Sequence, residues 1–199
     1  MAEHQMVNGI DVTALKETIE AMREDASVGD FRFRANHRWV DGTHFITTIQ
    51  DFHRSGHEDR SRPGPFVFDA DEPPVLLGTD FGPNATEAAL HALASCLSAT
   101  FMFQAAYHGI EIDQLHIEIE GNLDLRGFLG LSEDVRNGYE LINVTFYVGT
   151  DASEEKVQEL AELAQKRSPV FDIVTHETPV SVKSQKIREV HKKRETAHI

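Results

Sequence analysis

From Ala85 to Tyr107 the chain carries no glycine or proline and no charge after Glu87, and its apolar residues lie all round a helical wheel. That pattern belongs to a helix buried on every side rather than along one stripe. Asn84 followed by Glu87 has capping-box spacing at its start, and His108-Gly109 supplies a stop. Its length would suffice to cross a bilayer. However, Thr86, Glu87, His91, Ser95, Ser98, Thr100 and Gln104 break it up, and aromatic and basic flanks are missing. The expectation is the central helix of a soluble core.

Other periodicities surround it. Val12, Leu15, Ile19 and Met22 make an amphipathic stripe over residues 11–26, with Asp11 as cap and Gly29 as end. Phe31, Phe33 and Ala35 alternate with Arg32, Arg34 and Asn36, as in a strand. Asp41-Gly42 is a hairpin turn signal, with His44 to Phe52 returning. Residues 53–64 read as a polar loop, Pro65 to Ala70 as a third strand, and Asp71 to Gly82 as an extended loop feeding the long helix. Beyond the helix, Leu115, Ile117 and Ile119 alternate with His116, Glu118 and Glu120, and Ile142, Val144, Phe146 and Val148 mark another strand across a connection at 121–138. Ser153 caps a helix through about Lys166, Pro169 breaks it, and Val180 and Val182 suggest a last short strand. Helices and strands arrive in blocks, which indicates an α+β fold with mostly antiparallel sheet.

Charge narrows the partners. The formal net charge of −14 repels nucleic acid and anionic lipid, so neither is expected as a partner. The C-terminal stretch from Lys183 is the exception, with six Lys/Arg against two Glu, and reads as a solvated end rather than a nucleic-acid arm. The polar N-terminus is unlike a signal peptide, so a cytoplasmic protein is expected. A single cysteine, Cys96, excludes an internal disulfide and leaves its thiol free. The organisation expected is an N-terminal helical extension over 1–29, one domain over 30–183 and a basic tail over 184–199.

Three stretches together resemble the OsmC/Ohr family. They are DEPPVLLGTDFGPNATEAALHALASC, LDLRGFLGLSEDVRNGYELINVTF and KRSPVFDIVTHETPVSV, within a resemblance running from about Phe31 to Val182. The resemblance implies an OsmC-like α+β fold built as an intertwined homodimer, with the central helices packed at the interface. It also implies a cysteine-dependent peroxidase that reduces organic hydroperoxides without metal or organic cofactor. The family's peroxidatic cysteine falls on Cys96. Its resolving cysteine falls on Ser168, which cannot form the internal disulfide, so an external thiol reductant is required. The family's glutamate falls on Thr86; Glu87 is one place off, which turns a helical side chain by about 100°. The family's arginine is matched by Arg38, with Arg34 behind it. Glu72, in the loop before the helix, is a candidate carboxylate for the site, against a solvated turn.

Peroxidase chemistry needs a thiolate, hence a basic neighbour to lower a thiol pKa of about 8.5. The competing reading makes Cys96 a small packing residue in an Ala/Ser-rich helix, in a protein that keeps the fold and binds a small apolar ligand at the dimer interface. Phe101, Phe103, Tyr107, Phe128 and Phe146 either line such a cleft or form plain core. His53 and His57 have HxxxH spacing but no third ligand nearby, so no metal site is expected. His91 reads as a hydrogen-bonded core or interface histidine. Ser168 lacks an adjacent His/Asp pattern, which argues against a serine hydrolase.

Overall fold

The computed structural model describes residues 4–187. A tight N-terminal hairpin comes first, β1 (Met6–Val7) and β2 (Ile10–Asp11), turned by Asn8-Gly9. The helix α1 (Val12–Glu24) follows, with the Asp11 carboxylate accepting from the Ala14 amide. Then come six strands: β3 (Phe31–Arg32), β4 (Asn36–Asp41), β5 (His44–Ile49), β6 (Phe52–Arg54), β7 (His57–Asp59) and β8 (Phe66–Ala70). The long helix α2 (Ala85–Tyr107) separates them from β9 (Gln114–Asn122), the short α3 (Leu125–Phe128), β10 (Leu141–Gly149), α4 (Glu154–Arg167) and α5 (Pro169–Thr175).

Every strand pairing among the described residues is antiparallel, and the sheets run β1-β2, β3-β6-β7, β4-β5-β8 and β9-β10. The expected α+β class and antiparallel sheet are therefore present. The core of the second half is simple. Phe101 and Ala105 of α2 pack on Leu160 and Ala164 of α4, all fully buried, and Leu115, Phe146 and Val148 close over them from the β9-β10 sheet. The Phe101 and Phe146 rings lie 5.4 Å apart. Val7, Val12 and Ala106 make a second, smaller cluster at the C-terminal end of α2. The Asn8 side chain fastens it there, donating to the Ile110 carbonyl and accepting from the Ile112 amide.

The capping box on α2 is complete: Asn84 Oδ1 accepts from the Glu87 amide, and the Glu87 carboxylate accepts from the Asn84 amide. The expected burial on every side is not. Leu93, Leu97 and Phe101 are buried at four-residue spacing with Ala105 and Ala106 beyond, whereas Ala88, Ala92, Ser95, Ala99 and Phe103 form an exposed face. Among the described residues α2 alone is long and apolar enough to cross a membrane; here its buried stripe packs on α4 and the sheet. The first-half sheet is open too. Its register sets His37, Trp39, Phe45, Phe66 and Phe68 on one face, and Trp39 is 60% exposed.

Three further expectations need correction, and the break at Pro169 holds with an addition. The polar loop at 53–64 contains the β6–β7 hairpin, turned at Ser55-Gly56 with both residues at positive φ. Its strands are too short and too charged to show apolar alternation, and ion pairs of Arg54 with Asp59 and Arg34 with Glu58 support it instead. The expected strand at 31–36 is split. Phe31–Arg32 pairs with β6, and the hairpin partner of β5 begins only at Asn36. Pro169 does more than break α4: it occupies the first turn of α5, where its missing N–H costs nothing, and Ser168 caps that helix. Val180 and Val182 form no strand. Residues 177–187 form no regular element and are exposed, unpaired with any strand among the described residues. The basic tail falls mostly outside the described residues.

Removing the Leu160 side chain to alanine should cost about 2–5 kcal/mol in urea denaturation at fixed protein concentration. Asn84→Ala, which loses one cap, should cost about 1 kcal/mol in the same assay.

Candidate functional site

Cys96 sits in the middle of α2, half-buried and free, at the border between the packed stripe and the exposed small-residue face. Its carbonyl accepts from the Thr100 hydroxyl at 2.8 Å. One and two turns further along the same side stand Ala99 and Phe103, both exposed, so the approach to sulfur from that side is bounded by small residues and one ring.

The other candidates are distributed as follows. Thr86, in the first turn of α2, donates its hydroxyl to the Asn84 side chain. Glu87 is held in the capping box, and its carboxylate is committed to the Asn84 amide. Ser168 is buried, 2% exposed, and caps α5 by accepting from the Phe171 amide. Because α5 packs on both α2 and α4, Ser168 lies in the layer beside the cysteine helix. Arg38 lies on β4, in register with Ile46 and Asp69, on the face opposite Trp39 and Phe68. Among the described residues it has no carboxylate partner, whereas Arg34 is paired with Glu58. The principal packing partners of α2 are α4, α5, β9 and α1; the sheet that carries Arg38 is not one of them. Within one chain the structure therefore does not bring Arg38 to the thiol.

The histidines and aromatics separate similarly. His53 and His57 stand on the two strands of the β6–β7 hairpin, paired with Glu58 and Arg54. His91 is exposed on α2. Of the five aromatics, Phe101 and Phe146 are core, while Phe103, Tyr107 and Phe128 are exposed. They do not line one cleft in the single chain.

One residue that the sequence did not mark organises the approach to α2. Asp71 is 3% exposed and accepts from the Thr43 hydroxyl at 2.6 Å, the Thr79 hydroxyl at 2.6 Å, the Thr79 amide at 3.0 Å and the Glu72 amide at 2.8 Å. The Thr43 and Thr79 hydroxyls hold its carboxyl well below the usual carboxylate range, against the opposing effect of burial. Glu72, the next residue, has its amide tied to Asp71 and its carbonyl accepting from the Asp80 amide. The loop closes on itself so tightly that a Cβ on Gly78 would lie 1.7 Å from the Glu72 carbonyl oxygen. His44 then stacks on Phe81 at 4.6 Å while contacting Asp69 at 2.7 Å. Asp71 carries no periodic signal; only its position at the end of a strand, before a proline pair, set it apart in the sequence.

Comparison with known proteins adds family context. The family model described as OsmC-like protein matches residues 78–183, more than half of the chain. An OsmC-like protein from Mycoplasma pneumoniae is similar in structure, with TM-score 0.56 and 18% identity over 72% of this chain and 86% of that one. A hypothetical protein from Aquifex aeolicus VF5 has TM-score 0.50 and 14% identity over 72% of this chain and 86% of that one. No curated protein sequence is similar enough to count as a match.

The depressed carboxyl has a pH signature. Its contribution is fully present above the unfolded-state pKa, near 3.8, and is lost as pH falls from there toward the lower folded-state value. The stability difference between wild type and Asp71→Asn, read as urea midpoints, should be constant at neutral pH and narrow below about pH 4.

Proposed function

The chain belongs to the OsmC-like protein family, and from that membership we propose that it is a one-cysteine peroxidase for organic hydroperoxides, working as a homodimer. The observation that carries the reading is the position of Cys96, free and half-buried at the edge of an exposed apolar helix face. A buried packing cysteine needs no such access. A second copy of the chain supplies what the single chain lacks. It covers the Ala88–Phe103 face of α2, and its edge strand β4 brings Arg38 of the partner subunit toward the thiol as the basic group that favours thiolate. The exposed apolar surface and the two-stranded β9-β10 sheet, marginal on its own, support this assembly. Residues 178–183, exposed and alternating Val180 and Val182 with Ser181 and Lys183, suit pairing with the other copy's free sheet edge.

In the reaction the thiolate sulfur attacks one peroxide oxygen. The O–O bond breaks, and the departing alkoxide takes a proton and leaves as alcohol. Sulfur is oxidised to sulfenic acid and the hydroperoxide is reduced. With serine at position 168 no internal disulfide follows. An external low-molecular-weight thiol condenses with the sulfenic acid, releasing water and forming a mixed disulfide, and a second equivalent of that thiol restores Cys96 and departs as its own disulfide. Glu72 is the carboxylate proposed to sit near the site. No metal or organic cofactor enters these steps.

Sulfenic acid trapping at Cys96 should be fast with cumene hydroperoxide, slow with hydrogen peroxide and absent in Cys96→Ser. A thiol silent toward peroxide in the folded protein would instead favour the fold as a holder of small apolar ligands. Sedimentation should give a dimer. Deleting residues 177–199 should weaken that dimer at least tenfold, and no change in association would remove the strand-pairing part of the proposal.

A further inference from the structure

We propose that Asp71 is a positioning residue for the Cys96 site, holding the hairpin of Arg38, the loop of Glu72 and the start of the cysteine helix as one rigid unit. The inference rests on the peroxidase reading and deepens it. Its basis is what the one carboxylate joins. Thr43, which donates to it, lies in the turn between β4 and β5, five residues after Arg38. Glu72 and Thr79, which also donate to it, bracket the loop that runs directly into the Asn84 cap of α2. A second line of contact runs in parallel. His44, next to Thr43, stacks on Phe81 and reaches Asp69, and a Cβ on Gly82 would come within 2.3 Å of the Asp69 carbonyl oxygen.

The loop is also strained. Leu77 and Asp80 adopt positive φ, 67° and 63°. A non-glycine residue holds such a conformation only when its surroundings over-determine it. Asp71 is one such determinant, since its two oxygens take up amides and hydroxyls from both ends of the loop. If it let go, Leu77 and Asp80 could relax to ordinary φ. The Glu72 backbone and the entry to α2 would then lose their fixed relation to the hairpin. In a two-fold pair each clamp sets where its own hairpin meets the thiol of the other copy. Asp71 touches neither sulfur nor peroxide in this scheme; it acts through the groups that do.

The test is the pH profile of Cys96 alkylation by monobromobimane, measured on the full chain for wild type, Asp71→Asn, Thr79→Val and Thr79→Ser, with folding checked by circular dichroism. The wild-type midpoint should lie below the free-thiol value of about 8.5. Asp71→Asn and Thr79→Val should move it up by about one pH unit and slow sulfenic acid formation at neutral pH about tenfold. Thr79→Ser, which keeps the hydroxyl, should behave as wild type. Should Asp71→Asn not fold, Thr79→Val against Thr79→Ser decides alone. A depressed wild-type midpoint that stays put in folded Asp71→Asn or Thr79→Val overturns the positioning role and leaves the peroxidase reading standing. An ordinary midpoint in wild type overturns both.

Discussion

A helix that is apolar on every side has to be covered on every side, and one chain covers only half of α2. The stripe of Leu93, Leu97, Phe101 and Ala105 meets α4 and the β9-β10 sheet. Each fully buried large apolar side chain in such a stripe contributes about 1.5–3 kcal/mol, enough to fix the helix in place. The Ala88, Ala92, Ser95, Ala99 and Phe103 face stays exposed in its own chain. The same imbalance recurs in the β4-β5-β8 sheet, whose Trp39, Phe66 and Phe68 face is bare. Two uncovered apolar surfaces in one chain are the physical reason for expecting a second.

That constraint also explains why the candidate site looks incomplete. Cys96 stands at the boundary of the covered and uncovered faces, and Arg38 stands on a sheet that does not pack on α2. Within the chain, Cys96 and Arg38 belong to separate units. What ties those units together is covalent chain, the Asp71 clamp between the hairpin turn and the loop before α2, and the stacking of His44 on Phe81 beside it. The protein thus joins a well-packed half, a sheet with an open face and a stiff connector.

The elements that could be read from sequence were those whose signal is local. The capping box of Asn84 and Glu87, the Asp11 cap of α1, the Ser153 cap of α4 and the alternation of β9 and β10 each reside in a few neighbouring residues, and each is present. The β6–β7 hairpin escaped because three-residue strands bearing Arg, His, Glu and Asp resemble a polar loop. Burial was misjudged for α2 because periodicity reports how many faces are apolar, not which of them the chain itself covers. Val180 and Val182 have strand alternation, but a strand needs an edge to pair with, and residues 177–187 pair with none among the described residues of their own chain. For the candidate site, Cys96 and Ser168 were legible as residue types, whereas Asp71 was not, since its role depends largely on hydroxyls at positions 43 and 79, far from it in sequence.

Ser168 carries a consequence of a different kind. Its hydroxyl caps α5, and Pro169 behind it pre-sets the first turn. Serine is among the better cap residues and a thiol is a weak acceptor. Position 168 therefore has a structural duty of its own. A cysteine there would put a weaker acceptor at the start of α5 and loosen the layer that α5 makes with α2 and α4.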